Sequence, residues 1–382
     1  MSTTFEDQLA SVIYSVTPTE PAAEQRAWER LDSLTKPPRS LGRLEQIAAQ
    51  IARIQGTDHP SVADKAILLM AGDHGVVAEG VSPFPQDVTW QMVANFTAGG
   101  AAINQLAESV GARVEVTDVG VARDLTDFGG IRHFNVIHGT ANMAEGPAMT
   151  REQAAQAVLI GVEAAREVAG QGVTLIGTGE MGIGNTTAAA ALTAAFAEVP
   201  VETVVGAGTG LDAAGIEHKA TVVRRALKVN EELFVDALGV LAAVGGLEIA
   251  ALAGVIIGAA EEGVAVISDG FISGAAMLVA IKLCPTAAEY VLPSHLSAEP
   301  GHRVLLTHLG LEPVFDLDMR LGEGTGAALA MGIVDASCRM MSGMATFAEA
   351  GVSGSDEPAA ETAGADDAPA ADGAPAADAA GE

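Results

Sequence analysis

GTGEMGIGNTT, at residues 177–187, directly follows the apolar segment VTLI at 173–176. This order predicts a strand, a glycine loop and the beginning of a helix. Glycines let backbone N–H groups approach a ligand closely, and a helix N-terminus favours an anion. Glu180 lies inside the predicted loop, however, where its carboxylate would repel the pyrophosphate of a dinucleotide. The stretch therefore predicts an anion site that does not suit a dinucleotide.

Short continuous apolar runs alternate with alanine-rich helical stretches over most of the chain. The runs lie at 66–70, 114–119, 173–176, 203–205, 264–267 and 289–292. Continuous apolar runs of this length are typical of parallel strands buried on both faces, and the intervening helices supply the crossovers. We therefore predict an α/β fold with a doubly wound, mainly parallel, Rossmann-like sheet. Ligands bind beyond the carboxyl ends of such strands, so the residues that follow each run are the candidates for a site.

Charge and composition exclude several classes of function. The net charge is −29, and the chain has no basic stretch that could neutralise a nucleic-acid backbone, so we expect no nucleic-acid partner. The apolar segment 237–260 is long enough to span a bilayer, but Glu248 would lie near mid-membrane and acidic residues flank the segment. We predict closely packed buried helices there and no membrane contact.

The two cysteines and the chain ends point to the cytoplasm. Cys284 and Cys338 belong to no CxxC or Cys/His cluster, so we expect free thiols in a reducing compartment. The first residues show no basic and apolar export signal. Residues 351–382 contain eight acids, twelve alanines and no Lys or Arg, and this composition predicts a disordered tail.

Two glutamates stand between glycines at predicted helix starts. Glu323 is flanked by Gly322 and Gly324, and the helix that follows should keep its carboxylate ionised at neutral pH, which suits a general base. Glu180 could orient a ribose hydroxyl or a cationic ring. For both residues, simple pairing with a helix dipole is the competing interpretation. Asn185 and Thr186 are natural phosphate contacts or helix caps.

Other polar residues carry weaker signals. His74 and His295 follow predicted strands but lack the spacing of a zinc site, which favours structural or hydrogen-bonding roles. Lys219 stands in a stretch that is poor in bases, so it is a candidate to balance a ligand phosphate. The sequence has no GxxxxGK[ST] match and therefore no support for a P-loop ATPase.

Six motifs in series resemble those of the nicotinate-nucleotide:dimethylbenzimidazole phosphoribosyltransferase family. The match runs from about residue 5 to residue 348, and only the acidic tail lies outside it. The resemblance implies transfer of phosphoribose from nicotinate mononucleotide to 5,6-dimethylbenzimidazole, without a metal or cofactor, for the lower ligand of cobalamin. The motifs are KPPRSLGRLE at 36–45, GDHGV at 72–76, the run at 177–187, DGF at 269–271, SHLSAE at 294–299 and LGEG at 321–324.

The resemblance also implies domains and an assembly. It places the N-terminal helices at 1–62, a Rossmann-like catalytic domain at 63–326 and a C-terminal helix at 327–350, so that both chain ends form one smaller helical domain. A homodimer is implied as well. Arg39 stands where glycine is frequent in the family, and the sequence offers no interpretation of that substitution.

Site residues follow from the resemblance position by position. It implies that Glu323 is the catalytic base. The residues implied to bind substrate are Gly182, Lys219 and Ser297 near the phosphate, Leu321 and Met181 against the flat base, and Phe84 and Met92 in the base pocket, with Glu180, Asn185, Thr186 and Asp269 completing the set.

The chemistry of the residues agrees with that reaction but leaves rival functions open. Nicotinate departs as a neutral ring, so the step needs one base for the attacking benzimidazole and no acid. The main rival is an NAD-dependent dehydrogenase, since residues 177–182 satisfy GxGxxG and Glu202 follows about twenty residues later. A second rival is a glycosidase that uses Glu180 and Glu323 as its carboxylate pair. The third is a catalytically silent nucleotide sensor.

Overall fold

The computed structural model describes residues 4–353, and its centre is one six-stranded sheet. All strand pairs are parallel, and the strand order is β3-β2-β1-β4-β5-β6. The order reverses between β1 and β4, which is where ligands bind in doubly wound sheets. The strands are Lys65–Gly72 (β1), Ala112–Gly120 (β2), Arg132–His133 (β3), Leu175–Met181 (β4), Ala265–Ser268 (β5) and Val291–Pro293 (β6).

Two groups of helices cover this sheet. The helices are Phe5–Ser15 (α1), Pro21–Ser33 (α2), Arg43–Gln55 (α3), Val88–Thr97 (α4), Ala102–Ser109 (α5), Arg151–Gly170 (α6), Asn185–Ala197 (α7), Ala213–Val229 (α8), Ala237–Val244 (α9), Leu247–Glu261 (α10), Phe271–Leu283 (α11), Pro300–Leu309 (α12), Thr325–Gly343 (α13) and Phe347–Ala350 (α14). One group centres on α10, which packs on α6, α11 and the strands, and the other on α13, which packs on α3, α5 and the strands. The predicted α/β class with a parallel sheet is confirmed.

The long apolar segment forms the buried helices α9 and α10, as predicted. Small residues let α10 approach α6 closely: a Cβ added at Gly161 would lie 1.8 Å from the carbonyl oxygen of Ala251, and one at Gly254 would lie 1.8 Å from that of Val158. Only glycine fits at such contacts. No helix within residues 4–353 is long and apolar enough to cross a membrane.

Three strand predictions differ from the structure. The predicted strand at 203–205 is wrong, because a 3₁₀ helix at Val201–Thr203 and an irregular segment occupy that stretch. The two-residue strand β3 has no counterpart among the predicted runs. Strand β4 continues through the glycines to Met181, so Glu180 lies on the strand and only 182–184 form the loop before α7.

Helices α2 and α3 and the C-terminal part of α13 form a second, smaller core, whereas α1 packs on α6 and α10. Leu31, Leu34 and Met341 are buried there with alanines of α2 and α3. The backbone of Leu34 pairs with Thr346, and Arg30 Nε donates to the carbonyl of Met341 at 2.9 Å. The domain boundaries stay a prediction. Residues 354–382, most of the predicted tail, lie outside the described part of the chain.

Arg39 has a left-handed backbone, with φ of 61°. Glycine is favoured in this region because it has no Cβ. The side chain offsets the strain in two ways: its guanidinium lies 3.7 Å from the ring centroid of Trp28, and it pairs with Asp32 at 2.9 Å. These contacts explain how an arginine is tolerated where glycine suits the backbone.

Candidate active site

A cavity of about 330 Å³ opens at the carboxyl ends of the strands. Its size and its mixture of apolar walls and polar groups suit a small molecule. The fold brings together residues from separate segments of the chain around this cavity. Ten of the twelve predicted site residues line it: Phe84, Met92, Glu180, Met181, Gly182, Asn185, Thr186, Ser297, Leu321 and Glu323.

Two carboxylates stand side by side in the cavity wall. Glu180, at the end of β4, accepts the backbone N–H of Glu323 at 3.4 Å through Oε1. Its other oxygen accepts a short hydrogen bond from the Asn185 amide at the start of α7. Glu180 and Glu323 are 5% and 8% exposed. Asn185 therefore orients Glu180, and the phosphate contact predicted for it stays a prediction.

The loop that carries Glu323 has an unusual backbone. Gly322, Glu323 and Gly324 all have positive φ, at 83°, 62° and 90°. A left-handed conformation is strained for a non-glycine residue and persists only where the surroundings fix it. A Cβ at Gly322 would lie 2.1 Å from the Glu180 carboxylate, and one at Gly324 would lie 2.9 Å from Ile67. The glycines therefore allow the loop to press against β1 and β4.

The Asp269 carboxylate holds this loop in position through hydrogen bonds. Its carboxylate accepts the N–H groups of Gly324 at 3.0 Å, Gly326 at 2.7 Å and Ala327 at 3.0 Å. These are the orphan donors at the start of α13, which no residue within the helix can satisfy. Asp269 itself does not appear in the cavity wall. Its hydrogen bonds support the Glu323 loop, and the substrate contact predicted for it stays a prediction.

Burial changes the protonation expected for the two glutamates. Burial, together with the nearby Asp269 carboxylate, raises the pKa of Glu323 to about 7. Burial, reinforced by Asp269 and Glu248, raises the pKa of Glu180 to about 8. The sequence predicts that the α13 N-terminus keeps Glu323 ionised, and burial and the Asp269 carboxylate oppose that effect. A pKa near 7 still suits a general base at neutral pH.

A buried cation lies behind the cavity wall at Thr186. Lys219 is 1% exposed, and its Nζ donates to Thr186 Oγ1 at 2.7 Å beside Gly208. Burial lowers the pKa of Lys219 to about 8, although the Glu299 carboxylate opposes that shift. Thr186 and Gly208, the neighbours of Lys219 Nζ, line the cavity, whereas Lys219 itself is not part of the lining. A buried ammonium, hydroxyls and helix N–H groups together suit an anion.

The mouth of the cavity is apolar. Phe84 and Leu321 are 47% and 57% exposed at its rim, and Met92 lies in the wall on α4. A flat aromatic ring could pack between these side chains.

Four further polar residues of the cavity wall were not predicted to bind substrate. They are Thr209, His295, Glu299 and Arg320. His295 and Glu299 belong to the SHLSAE motif after β6. Their position after a predicted strand could have identified them as candidates for the site. His302 was also missed: its Nδ1 accepts the backbone N–H of Ser297 at 3.0 Å, and burial lowers its pKa to about 3. Neutral His302 thus holds Ser297 in place.

His74 and Glu248 form a buried pair behind the cavity, 2.6 Å apart. Burial lowers the pKa of His74, but the Glu248 carboxylate outweighs burial and holds that pKa above its usual value. This pairing accounts for the lone charge in the apolar segment 237–260. Among residues 4–353, no cluster of three or more His, Cys, Asp or Glu side chains could hold a metal ion. Both cysteines are buried and free.

The geometry does not support the dehydrogenase. In a dinucleotide fingerprint the glycines form the turn between strand and helix. Here Gly177 and Gly179 lie inside β4, where a Cβ would meet Ile67 at 2.4 Å or the carbonyl of Glu323 at 2.8 Å. Their role is close packing, so the GxGxxG match is accidental.

Comparison with known proteins agrees with this description. A family model described as "Phosphoribosyltransferase" matches residues 16–352. The nicotinate-nucleotide–dimethylbenzimidazole phosphoribosyltransferase of Desulforamulus reducens is 51% identical over 346 residues, covering 90% of this chain and 99% of that protein. The enzyme of the same name from Chlorobaculum tepidum is 48% identical over 351 residues, or 92% and 99%. A crystal structure of the Thermus thermophilus enzyme has a TM-score of 0.84 and 49% identity, covering 88% of this chain and 100% of that one.

Proposed function

The chain belongs to the nicotinate-nucleotide–dimethylbenzimidazole phosphoribosyltransferase family, and from this premise we propose that it transfers phosphoribose from nicotinate mononucleotide to 5,6-dimethylbenzimidazole. The products are α-ribazole 5′-phosphate and nicotinate, for the lower ligand of cobalamin. The observation that carries this proposal is a cavity lined by Glu180 and Glu323, with the buried ammonium of Lys219 bonded to Thr186 of the same wall. No cofactor is needed for the step.

The reaction requires one bond to break and one to form at C1′. The bond from C1′ to the pyridinium nitrogen breaks, and its electron pair stays on the ring, which leaves as nicotinate. One nitrogen of the benzimidazole forms the new bond on the opposite face of the ribose, so the β-nucleotide becomes an α-nucleotide. The other benzimidazole nitrogen loses its proton. We assign that proton to the carboxylate of Glu323, whose pKa of about 7 lets it act as a base near neutral pH.

Glu180 would stabilise positive charge at the sugar. The transition state at C1′ has oxocarbenium character, as in glycoside cleavage, and a fixed carboxylate lowers its energy. In the protein without substrate, the pKa of Glu180 is about 8 and the proton is largely retained at neutral pH. Arrival of the cationic pyridinium favours the ionised form, because a nearby opposite charge lowers a carboxyl pKa. The Asn185 amide holds the group in position.

Different residues of the site would bind the phosphate and the two bases. Lys219, Thr186, Ser297 and Gly182 would bind the single phosphate, and Leu321, Met181, Phe84 and Met92 would contact the bases. Anchoring the phosphate fixes the ribose between the leaving ring and the attacking ring, which converts binding energy into orientation.

A homodimer in the cytoplasm, with no nucleic-acid or membrane partner, belongs to the same proposal. The family resemblance supports the dimer, and the acidic composition and the free thiols support the rest. Sedimentation of the purified chain tests the assembly: a monomer at micromolar concentration would contradict it.

The decisive experiment is incubation with nicotinate mononucleotide and dimethylbenzimidazole, followed by chromatography of released nicotinate. We expect turnover by the wild type and a loss of about 10²- to 10⁴-fold in kcat for Glu323→Gln, the usual worth of a positioned base. Glu198→Gln is the matched control, because Glu198 also has a left-handed backbone but is exposed at the end of α7. Equal rates for the two variants would refute the assigned role of Glu323.

A further inference from the structure

Glu299 is a buried carboxylate in the cavity wall that the reaction described above does not use. It is 5% exposed and occupies the N-cap position of α12, directly before Pro300. An N-cap side chain normally accepts an N–H from the first turn of its own helix. Glu299 makes no such bond. An ordinary capping role therefore does not explain why a carboxylate is buried here.

The carboxylate instead reaches a loop that is distant in sequence. Its Oε1 accepts the backbone N–H of Gly208 at 2.9 Å in a buried hydrogen bond. Gly206 leaves the space for this contact, since a Cβ there would lie 2.2 Å from Glu299 Oε2. That second oxygen has no hydrogen-bond partner among the described residues. A buried carboxylate is costly, and one N–H partner offsets only part of the cost.

The loop that Glu299 holds lines the cavity next to Thr186 and Lys219, which are proposed to bind the phosphate. Gly208 has φ of 54°, and a Cβ on it would lie 3.0 Å from Thr186 Oγ1 and 3.2 Å from Lys219 Nζ. The backbone at Gly208 therefore lies directly against the ammonium and its hydroxyl partner. Any shift of this loop therefore changes the surroundings of Lys219 Nζ and Thr186 Oγ1, the two groups proposed to bind the phosphate.

We propose that Glu299 is a positioning residue for substrate phosphate: by holding the Gly208 N–H, it fixes the loop at 206–210 against Lys219 and Thr186. The inference rests on the proposed phosphoribosyl transfer and adds a determinant of nucleotide affinity to it. Glu299 acts through Gly208 and forms no bond to the reacting atoms. Loss of the contact should weaken binding of the nucleotide and leave the chemical step and the benzimidazole site unaltered.

Steady-state kinetics of three variants test this role. Glu299→Ala removes the acceptor and should raise KM for nicotinate mononucleotide about 10- to 100-fold, the usual effect of a lost charge-assisted hydrogen bond. Its kcat and its KM for dimethylbenzimidazole should stay close to those of the wild type. Glu299→Gln keeps an oxygen acceptor and should largely restore the KM for the nucleotide. Glu20→Ala is the matched control. Like Glu299, Glu20 is an N-cap glutamate that precedes a proline and makes no capping hydrogen bond, but Glu20 is exposed.

Several outcomes would overturn the proposal. An unchanged nucleotide KM in Glu299→Ala would do so, and so would a loss confined to kcat. A Gln variant as impaired as the Ala variant would show that charge, and not the bond to Gly208, is what matters. If Glu299→Ala does not fold, Glu299→Asp replaces it, since its shorter side chain cannot span to Gly208.

Direct binding separates this inference from the proposed function. Calorimetry with nicotinate mononucleotide and with nicotinate riboside, which lacks the phosphate, needs no turnover. Wild type should prefer the mononucleotide, and Glu299→Ala should lose most of that preference. If the wild type binds the mononucleotide but transfers nothing, the proposed function fails while the positioning role is still measured. If transfer occurs and the preference is unchanged in Glu299→Ala, only the positioning role fails.

Discussion

At the scale of single residues, the cavity concentrates negative charge that water does not screen. The charges of Asp269 and Glu248 raise the pKa of Glu180, and the charge of Asp269 also raises the pKa of Glu323. Each carboxylate therefore makes ionisation of its neighbours less favourable. The proposed substrate carries a cationic ring, so charge that is unfavourable in the free protein becomes useful when that substrate is bound.

Because Glu180 is buried, it lowers the free energy of unfolding as the pH rises. The pKa of Glu180 rises from 4.5 to about 8 on folding, so the folded state holds a proton that the unfolded chain releases. The resulting stability is fully present below a pH of about 4.5 and is lost as the pH rises through about 8. We expect Glu180→Gln to gain on the order of a few kcal/mol in free energy of unfolding, relative to wild type, between a pH of about 5 and a pH of about 8.5.

Urea unfolding at the two pH values measures this difference. Glu198→Gln, at an exposed position, should show no such pH-dependent gain. A Glu180→Gln variant whose difference from wild type is the same at both pH values would contradict the buried, protonated state of Glu180.

At the scale of elements, the loop at 322–324 couples the position of Glu323, the proposed base, to that of Glu180 on β4. A Cβ at Gly322 would lie 2.1 Å from Glu180 Oε1, and the left-handed φ of 83° strains any other residue. Gly322→Ala should therefore displace Glu180 or the loop, reduce kcat by more than about tenfold and cost about 1–3 kcal/mol in free energy of unfolding. Nicotinate release and thermal unfolding are the measurements.

Gly343→Ala provides the comparison for that substitution. Gly343 is exposed at the end of α13, and a Cβ there would meet no atom within 4 Å. Both kcat and the unfolding temperature should match the wild type. If Gly322→Ala behaves in the same way, the loop tolerates a side chain and the close contact with Glu180 is unimportant.

The sequence predicts elements well where local periodicity decides them and poorly where tertiary contacts do. The apolar runs of β1 and β5 identify buried strands because each run is continuous, whereas the stretch at 114–119 in β2 includes Glu115, Thr117 and Asp118. Gly177 and Gly179 look like a loop by composition, yet they lie in β4 because α13 and the Glu323 loop press against that strand. The two-residue β3 has no periodicity to detect. Glu180 and Glu323 could be found from their glycine neighbours, whereas the Glu299 contact with Gly208 spans 91 residues and leaves no local signal.

At the scale of the whole molecule, the site and both cores are formed by residues 4–353. We therefore expect a chain that ends at residue 353 to keep the kcat and KM of the full chain, despite losing eight acidic residues. A chain that ends at residue 324 lacks α13, which packs on β1, β4 and β5, and should not fold. Circular dichroism and nicotinate release check both chains. A large loss of activity in the first chain would show that residues 354–382 contribute to catalysis.

The capping of α13 by Asp269 also sets an order of assembly during synthesis. The first helices and the strands leave the ribosome well before residue 325, and synthesis of that much chain takes roughly tens of seconds. Until α13 emerges, the Asp269 carboxylate lacks its three N–H partners and the smaller core lacks Met341. Glu323, the proposed base, is therefore held in position only when translation is nearly finished.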